Sequence, residues 1–415
     1  MKVLIFSNTC GNFHMPSSST GYNGGGWIST LQTELSKAPD IQLGLCFVGN
    51  GLPDKVEQDG VSYYPVPNAR KPLKDKLLDA LHPNDVHRDE VLWPHYKEHF
   101  KKAIDDFQPD VIHIFGSELY MGLAALVADR PCVLHIQGLL SLYIYIVLPP
   151  GVSRRSFVWK DGLRGVWHNW SFLNYWQRSV YREKTILKSV DHVIGRTDWD
   201  REAMKMLNPN ATYHYGGEIL RPVFYEEAKR EIPERLTITT TISAPTYKGY
   251  DLLLRVAYIL KNECNLDFVW NVYGNVDRSW AERLVGYSHT DVNVKLCGTA
   301  TAEQIREALL QSTLYFHPSY VENSPNSVCE AQLLGLPVVA TNVGGTATLV
   351  EDGETGLLFP ATDPYMGAER ILRLTKGQET NISMGAKGRQ IALKRHDRKE
   401  IVTQLLNVYH EIAKK

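Results

Sequence analysis

The sequence predicts an α/β protein of two doubly wound parallel-sheet domains, and three observations predict it. The chain has 415 residues, too many for one core when a domain takes about 150. Short apolar, strand-like runs alternate with helical stretches in both halves, the β-α-β rhythm that builds parallel sheets. Several of these runs end on glycine, or carry a histidine next to their last residue, at the sheet edge where such folds hold ligands.

In the first half the runs are KVLIF (2–6), LGLCFV (43–48), DVIHIF (110–115), CVLHI (132–136) and HVIG (192–195). Helices are expected in WISTLQTELSK after the first run and in HYKEHFKKAIDDFQ before the third. The second half repeats the style with LTITTTI (236–242), DFVWNVYG (267–274), VNVKLCG (292–298), TLYFHP (313–318) and PVVAT (337–341). The boundary is expected within 208–225, where LNPNATYHYGGEILRPVF mixes turn residues with a short strand, giving domains over 1–212 and 213–393. In the last segment, 394–415, Ile401, Leu405, Val408 and Ile412 recur on one helical face, as a helix packed on a core requires.

Composition excludes several classes. Hydrophobic residues are 43% and charged residues 22% of the chain, ordinary for a folded protein. The 45 Lys and Arg nearly balance the 46 Asp and Glu, so no basic field attracts nucleic acid. The six cysteines stand singly, without the paired spacing of disulfide or zinc frameworks, and read as small hydrophobes in a reducing compartment. MKVLIFSN is strand-length and lacks a cleavage site, so the expected location is cytoplasmic. The uncharged run LLSLYIYIVLPP (139–150) is too short for the ~20 residues of a bilayer span and is expected as a buried strand or core helix.

The most informative stretch is ENSPNSVCE, in which Glu322 and Glu330 bracket Ser324-Pro325. A serine able to cap and a proline pre-shaped for the first turn predict a helix start. Glu322 then lies in the loop ahead of the helix, and Glu330 about 7–8 Å along it. The first-turn N–H groups, those of Asn326 and Ser327 among them, point out of the helix end and with its dipole make a phosphate site. A carboxylate cannot hold phosphate but accepts bonds from paired hydroxyls, so the arrangement suits a ligand with sugar, diphosphate and ribose in series. The plainer account is that these glutamates only complement the helix dipole.

The longer stretch HPSYVENSPNSVCEAQLLGLPVVATNVGGTATLVEDGETGLLFP (317–360) resembles the donor-site signature of retaining glycosyltransferases of family 4, the glycosyl transferases group 1, which have the GT-B fold. The resemblance implies two Rossmann-like domains facing across a cleft, with a C-terminal helix crossing back to the first. It implies that Glu322 contacts the donor sugar, Glu330 the ribose, and the backbone of Ser324 and of Asn326, Ser327 and Val328 the diphosphate. Gly344 and Gly345 match the family's glycine pair after the next strand.

Lys248-Gly249 stands between a strand and an amphipathic helix, where a ligand anion would sit; in the resembling family this lysine neutralises the diphosphate, helped by an arginine whose position here is Ser243. The strand ends NVYGN, with Gly274, and LCGTA, with Leu296, Cys297 and Gly298, would flank the base by the same resemblance, or are plain turns. Gly25 and Gly26, in GYNGGGW, resemble the family's mobile loop facing the diphosphate and the acceptor; a surface loop is the alternative. His135 ends a strand, and the family places a histidine there near the transferred sugar, which ranks it above His113. Glu118 is expected to bind acceptor hydroxyls, and Arg221 resembles the segment passing between domains, also near the acceptor. SRRSFVWKDGLRGVWHNWSFLNYWQR (153–178) interleaves basic and aromatic residues; an acceptor platform, a contact with anionic lipid and a helix pair with buried aromatics all fit, and burial is the expected use.

The expected activity is transfer of a sugar from a UDP- or GDP-sugar to an acceptor hydroxyl with retention, in polysaccharide or glycolipid synthesis. Glu322, His135 and Lys248 are its expected catalytic residues. The co-substrate is the nucleotide sugar and the acceptor a saccharide or lipid-linked sugar; neither cofactor nor metal is expected, and the location includes the inner membrane face. A nucleotide-sugar epimerase on the same fold and a silent glycan-binding protein are the alternatives.

Overall fold

The computed structural model describes residues 1–14, 26–227, 230 and 232–414. Fourteen strands are present among them: β1 (Lys2–Ser7), β2 (Gln42–Val48), β3 (Val56–Gln58), β4 (Val61–Val66), β5 (Val111–Phe115), β6 (Cys132–His135), β7 (His192–Gly195), β8 (Thr212–Tyr215), β9 (Leu236–Ile242), β10 (Phe268–Gly274), β11 (Val294–Gly298), β12 (Leu314–His317), β13 (Val338–Thr341) and β14 (Gly356–Phe359). They form two sheets, ordered β3-β4-β2-β1-β5-β6-β7-β8 and β11-β10-β9-β12-β13-β14. Every neighbouring pair is parallel except β3 with β4, a hairpin at the edge of the first sheet.

The chain divides into two compact units, residues 1–144 with 161–219 and 397–415, and residues 145–160 with 220–396. The passage into the second unit thus falls at 219/220 rather than 212/213, and 145–160 belongs to the second unit, which the sequence did not signal. The run 139–150 is neither strand nor core helix: one helical turn, Leu140–Tyr143, gives way to turns with Tyr145 exposed.

Both faces of each sheet are covered, which is why the strands read as continuous apolar runs. In the first unit Val3 and Ile5 of β1 face a core closed by helices 26–35 and 398–413, while Leu4 and Phe6 face one closed by helix 93–107. Ile401, Leu405, Val408, Tyr409 and Ile412 of helix 398–413 are buried in the former. In the second unit Trp270, Phe316, Leu357 and Phe359 join helices 250–258 and 364–375, and Tyr315, Val338 and Ala340 join helices 302–310 and 326–333.

The segment 153–178 runs through helix Arg154–Val158 into helix Gly162–Leu187, and only part of its aromatic surface is buried. Phe157 is covered, whereas Trp159, Trp167 and Tyr175 are exposed, against the expectation of burial. Among the described residues no helix is long and apolar enough to cross a membrane.

One buried polar contact ties the last helix to the first sheet: the Tyr409 hydroxyl lies 2.5 Å from Nδ1 of His113 on β5, both fully buried. Removing one partner of such a contact strands the other, so Tyr409→Phe is expected to cost about 1–3 kcal/mol in denaturant unfolding. His410→Ala, at an exposed neighbour, should leave the midpoint unchanged.

Candidate functional site

The carboxyl ends of β9, β12 and β13 bring three loops of the second unit together. Lys248 closes the turn 246–248 after β9, and Glu322 lies in the loop that leaves β12. The backbones of these loops are knit, with Tyr320 N–H donating to Tyr247 O at 2.7 Å and Gly345 N–H to Glu322 O at 3.0 Å. Two of the positions admit only glycine. Gly249 has φ +74° and Gly344 φ +51°, and a Cβ there would stand 2.0 Å from Pro318 O and 1.9 Å from Glu322 O.

Glu322 Oε1 collects the polar groups of the site. Lys248 Nζ donates to it at 2.5 Å and Ser319 Oγ at 2.8 Å, and His317 Nε2 stands 3.4 Å away. Burial by itself would raise this carboxyl, but Lys248 and His317 outweigh it and hold the group down at about 2. Burial would likewise depress Lys248, yet the adjacent Glu322 raises it, so both members are charged at neutral pH.

Helix 326–333 begins four residues after Glu322. Its start is where the sequence places it, but the cap differs: Pro325, not Ser324, occupies the N-cap position. Val328 is fully buried, which leaves only its backbone to meet a ligand. Glu330 on this helix is gripped by both arms of Arg221, from Nε and Nη2, each at 2.8 Å. Arg221, expected at the acceptor, is therefore fixed to the residue expected at the ribose. Ser243 lines a pocket with Thr246, Asp251 and Asp277, and no Lys or Arg is among its lining residues.

Gly274 ends β10, and Leu296, Cys297 and Gly298 end β11, where the register slips so that Tyr273 pairs with Gly298. The slip leaves Cys297 without a ladder partner, its Sγ 3.9 Å from Asn271 Oδ1.

The first unit carries a separate group at the carboxyl ends of its strands. His135 ends β6, but its ring is buried against Trp27, Phe115 and His113 instead of facing outward. Burial, with His113 and Arg196 nearby, drives its protonation far below neutral pH, so the imidazole is uncharged. Glu118 Oε1 accepts from Gly138 N–H at 2.6 Å, and burial lifts its carboxyl to about 7. Gly26 opens helix 26–35; Gly25 lies outside the described residues.

Sequence reasoning missed four polar residues here. His317 and Ser319 flank Glu322, and Arg196 forms a buried ion pair with Glu218 while donating to Gln137 O at 3.1 Å. Two had the signal that singled out His135: His317 is the last residue of β12, and Arg196 is the first after β7.

Comparison with known proteins fits this geometry. Residues 226–391 match the family model described as glycosyl transferases group 1. The D-inositol 3-phosphate glycosyltransferase of Nocardioides sp. is 31% identical over 224 residues, 48% of either chain. The N-acetyl-alpha-D-glucosaminyl L-malate synthase of Bacillus anthracis is 26% identical over 132 residues, 32% of this chain and 34% of that one. Across the first five curated relatives the matches span 16% to 48% of the relative's length. Sucrose-phosphate synthase from Thermosynechococcus elongatus superposes with a TM-score of 0.70 at 18% identity, over 99% of this chain and 98% of the other. HepE from Anabaena, solved with UDP-glucose, gives 0.65 at 16% identity over 99% and 100%. These likenesses establish the fold, which is GT-B. Lys248, Glu322 and Glu330 all lie within the segment 226–391 that matches the glycosyl transferases group 1 model.

A carboxyl held at about 2 against an ordinary 4.5 contributes stability that is complete above pH 4.5 and is lost as the pH falls through about 2. The stability gap between the wild type and Glu322→Gln should therefore be widest near neutrality. It should close by about 3 kcal/mol on acidification from about pH 5 to about pH 2, followed by urea unfolding. Parallel pH curves for the two proteins would show that the pair carries no such linkage.

Proposed function

We propose that the protein transfers a sugar from a UDP- or GDP-sugar to an acceptor hydroxyl with retention of configuration, in cell-surface polysaccharide or glycolipid synthesis at the cytoplasmic face of a membrane. The observation that carries this reading is the pair of half-buried Lys248 and buried Glu322 beside the amino end of helix 326–333. A cation and a helix amino end together suit a diphosphate, and a carboxylate kept ionised next to them suits the hydroxyls of the sugar it bears. HepE, of the same fold, was solved with UDP-glucose, and a structure described as trehalose-6-phosphate from E. coli with UDP-2-fluoro glucose.

In this reading Glu322 accepts bonds from donor hydroxyls and holds Lys248 in place. As the bond between sugar and diphosphate breaks, negative charge grows on the leaving oxygen. Lys248 and the helix end answer it, an electrostatic contribution of about 3–4 kcal/mol per well-placed donor. Arg221 would serve as a second cation on the nucleotide side, the role the family gives to the position of Ser243. Glu330 would then meet the ribose while fixing Arg221, and Gly274 with Leu296, Cys297 and Gly298 would flank the base. In the first unit Glu118 would bind the acceptor hydroxyl, and neutral His135 would stand near the sugar without carrying charge.

Transfer is checked by incubating the protein with UDP- and GDP-sugars and saccharide or lipid-linked acceptors and following glycosylated product. Lys248→Ala is expected to lower kcat/KM by roughly 10²–10³-fold, as loss of one charge-stabilising donor does. Glu322→Ala should be at least as damaging, since it removes the sugar contact and unseats Lys248. Donor binding without transfer to any acceptor would mark a binding protein, and donor isomerisation an epimerase. UDP and GDP, tested separately at about 100 times Kd, should raise stability by about 2.7 kcal/mol for the matching base.

A further inference from the structure

Helix Leu73–Leu81 (LKDKLLDAL) has no buried residue, although a third of a typical surface helix faces a core. Leu73, Leu77 and Leu81 are 84%, 63% and 64% exposed, and they recur every four residues as a single stripe. At about 100° per residue, Lys74 and Lys76 border that stripe on either side. Both lysines are exposed and form no ion pair among the described residues.

The acids of the same helix are on its other side and are all engaged. Asp75 pairs with Arg88 at 2.6 Å, and Asp79 pairs with Lys71 at 2.7 Å and with Arg178 at 3.1 Å. Arg178 of helix 162–187 also donates to the carbonyls of Asp79, His82, Pro83 and Asp85. The helix is thus clamped to the first unit by charge, with its leucines turned out. Leu163 and Trp167 share with Arg178 an arc of roughly 60° on helix 162–187, and both are exposed about 16 Å or more from the clamp.

The geometry points to a docking surface for an anionic lipid bilayer on the first unit, in which Leu73, Leu77 and Leu81 enter the headgroup boundary and Lys74 and Lys76 meet lipid phosphates. Two features favour lipid over a protein partner. Every acid of the helix is withdrawn to the inner side and neutralised, leaving a purely apolar and cationic face. The stripe is a single exposed row of leucines on a short helix, flanked by lysines, the form of a helix lying in an interface. The surface is distinct from the Lys248–Glu322 site and does not depend on what that site transfers.

The test is co-sedimentation of the full chain with vesicles of phosphatidylcholine alone or mixed equally with phosphatidylglycerol. Wild type should pellet with the mixed vesicles only, and less at high salt. Lys74→Gln with Lys76→Gln should weaken partitioning roughly thirtyfold, and Leu77→Ser with Leu81→Ser by at least about tenfold. Because all four residues are exposed, the thermal midpoint of each variant should match the wild type, and Lys101→Gln should bind as the wild type does. Wild type left in the supernatant with mixed vesicles, or variants that pellet as fully as wild type, would overturn the assignment. So would a dimer in sedimentation equilibrium that Leu77→Ser with Leu81→Ser dissolves, since the stripe would then be covered by a second copy of the chain.

Discussion

A carboxylate taken out of water loses several kcal/mol of hydration, and only a close opposite charge with further hydrogen bonds offsets that loss. Glu322 is in this position, and the surrounding structure follows from keeping it ionised. Lys248 must reach it from a different loop, so β9 and β12 have to be neighbours and their exits have to be stitched together. Gly249 and Gly344 permit the stitching, because any side chain at either would collide with a carbonyl of the facing loop. Ser319 and His317 complete the shell from the strand end that carries Glu322 itself. Two strand-to-helix connections are in this way committed to one carboxylate oxygen, and the third is bonded to the backbone carbonyl of the same residue.

The second acid of the motif is handled differently. Glu330 lies one turn into the helix, where bidentate Arg221, just past the passage into the second unit at 219/220, meets it. A planar guanidinium on a carboxylate fixes both side chains in direction as well as distance. The helix amino end thus has an oriented acid on each side, and each acid is held by its own cation. In the proposed reading, that pairing would give two spaced glutamates one place for an anion between them and two for hydroxyls.

Much of this was legible in the sequence because parallel strands buried on both faces write themselves as apolar runs. β7 and β9 have the predicted bounds, and most of the others lie within a residue or two. The misses have physical causes. β4 reads VSYYPV, and an internal proline argues against a paired strand, while β14 is only four residues and follows a turn. Ser324 looked like a cap because serine before proline commonly is one, yet the chain uses Pro325 itself. The site was legible where it depends on strand ends and a helix start, as at Lys248, Glu322 and Asn326. It was not legible where it depends on which strands are adjacent: nothing local in the sequence says that Arg221 meets Glu330, 109 residues away. The aromatics of 153–178 failed in the opposite sense, since composition gives a residue's tendency to be buried but not whether a partner surface exists.

The central claim is that the Lys248–Glu322 pair and the amino end of helix 326–333 hold a nucleotide diphosphate sugar. A crystal structure with such a donor bound tests it most directly. The account predicts diphosphate oxygens within hydrogen-bond reach of Lys248 Nζ and of the first-turn amides, with sugar hydroxyls on Glu322. A donor bound in clear density elsewhere in the chain, with the Lys248–Glu322 pair untouched, would contradict it.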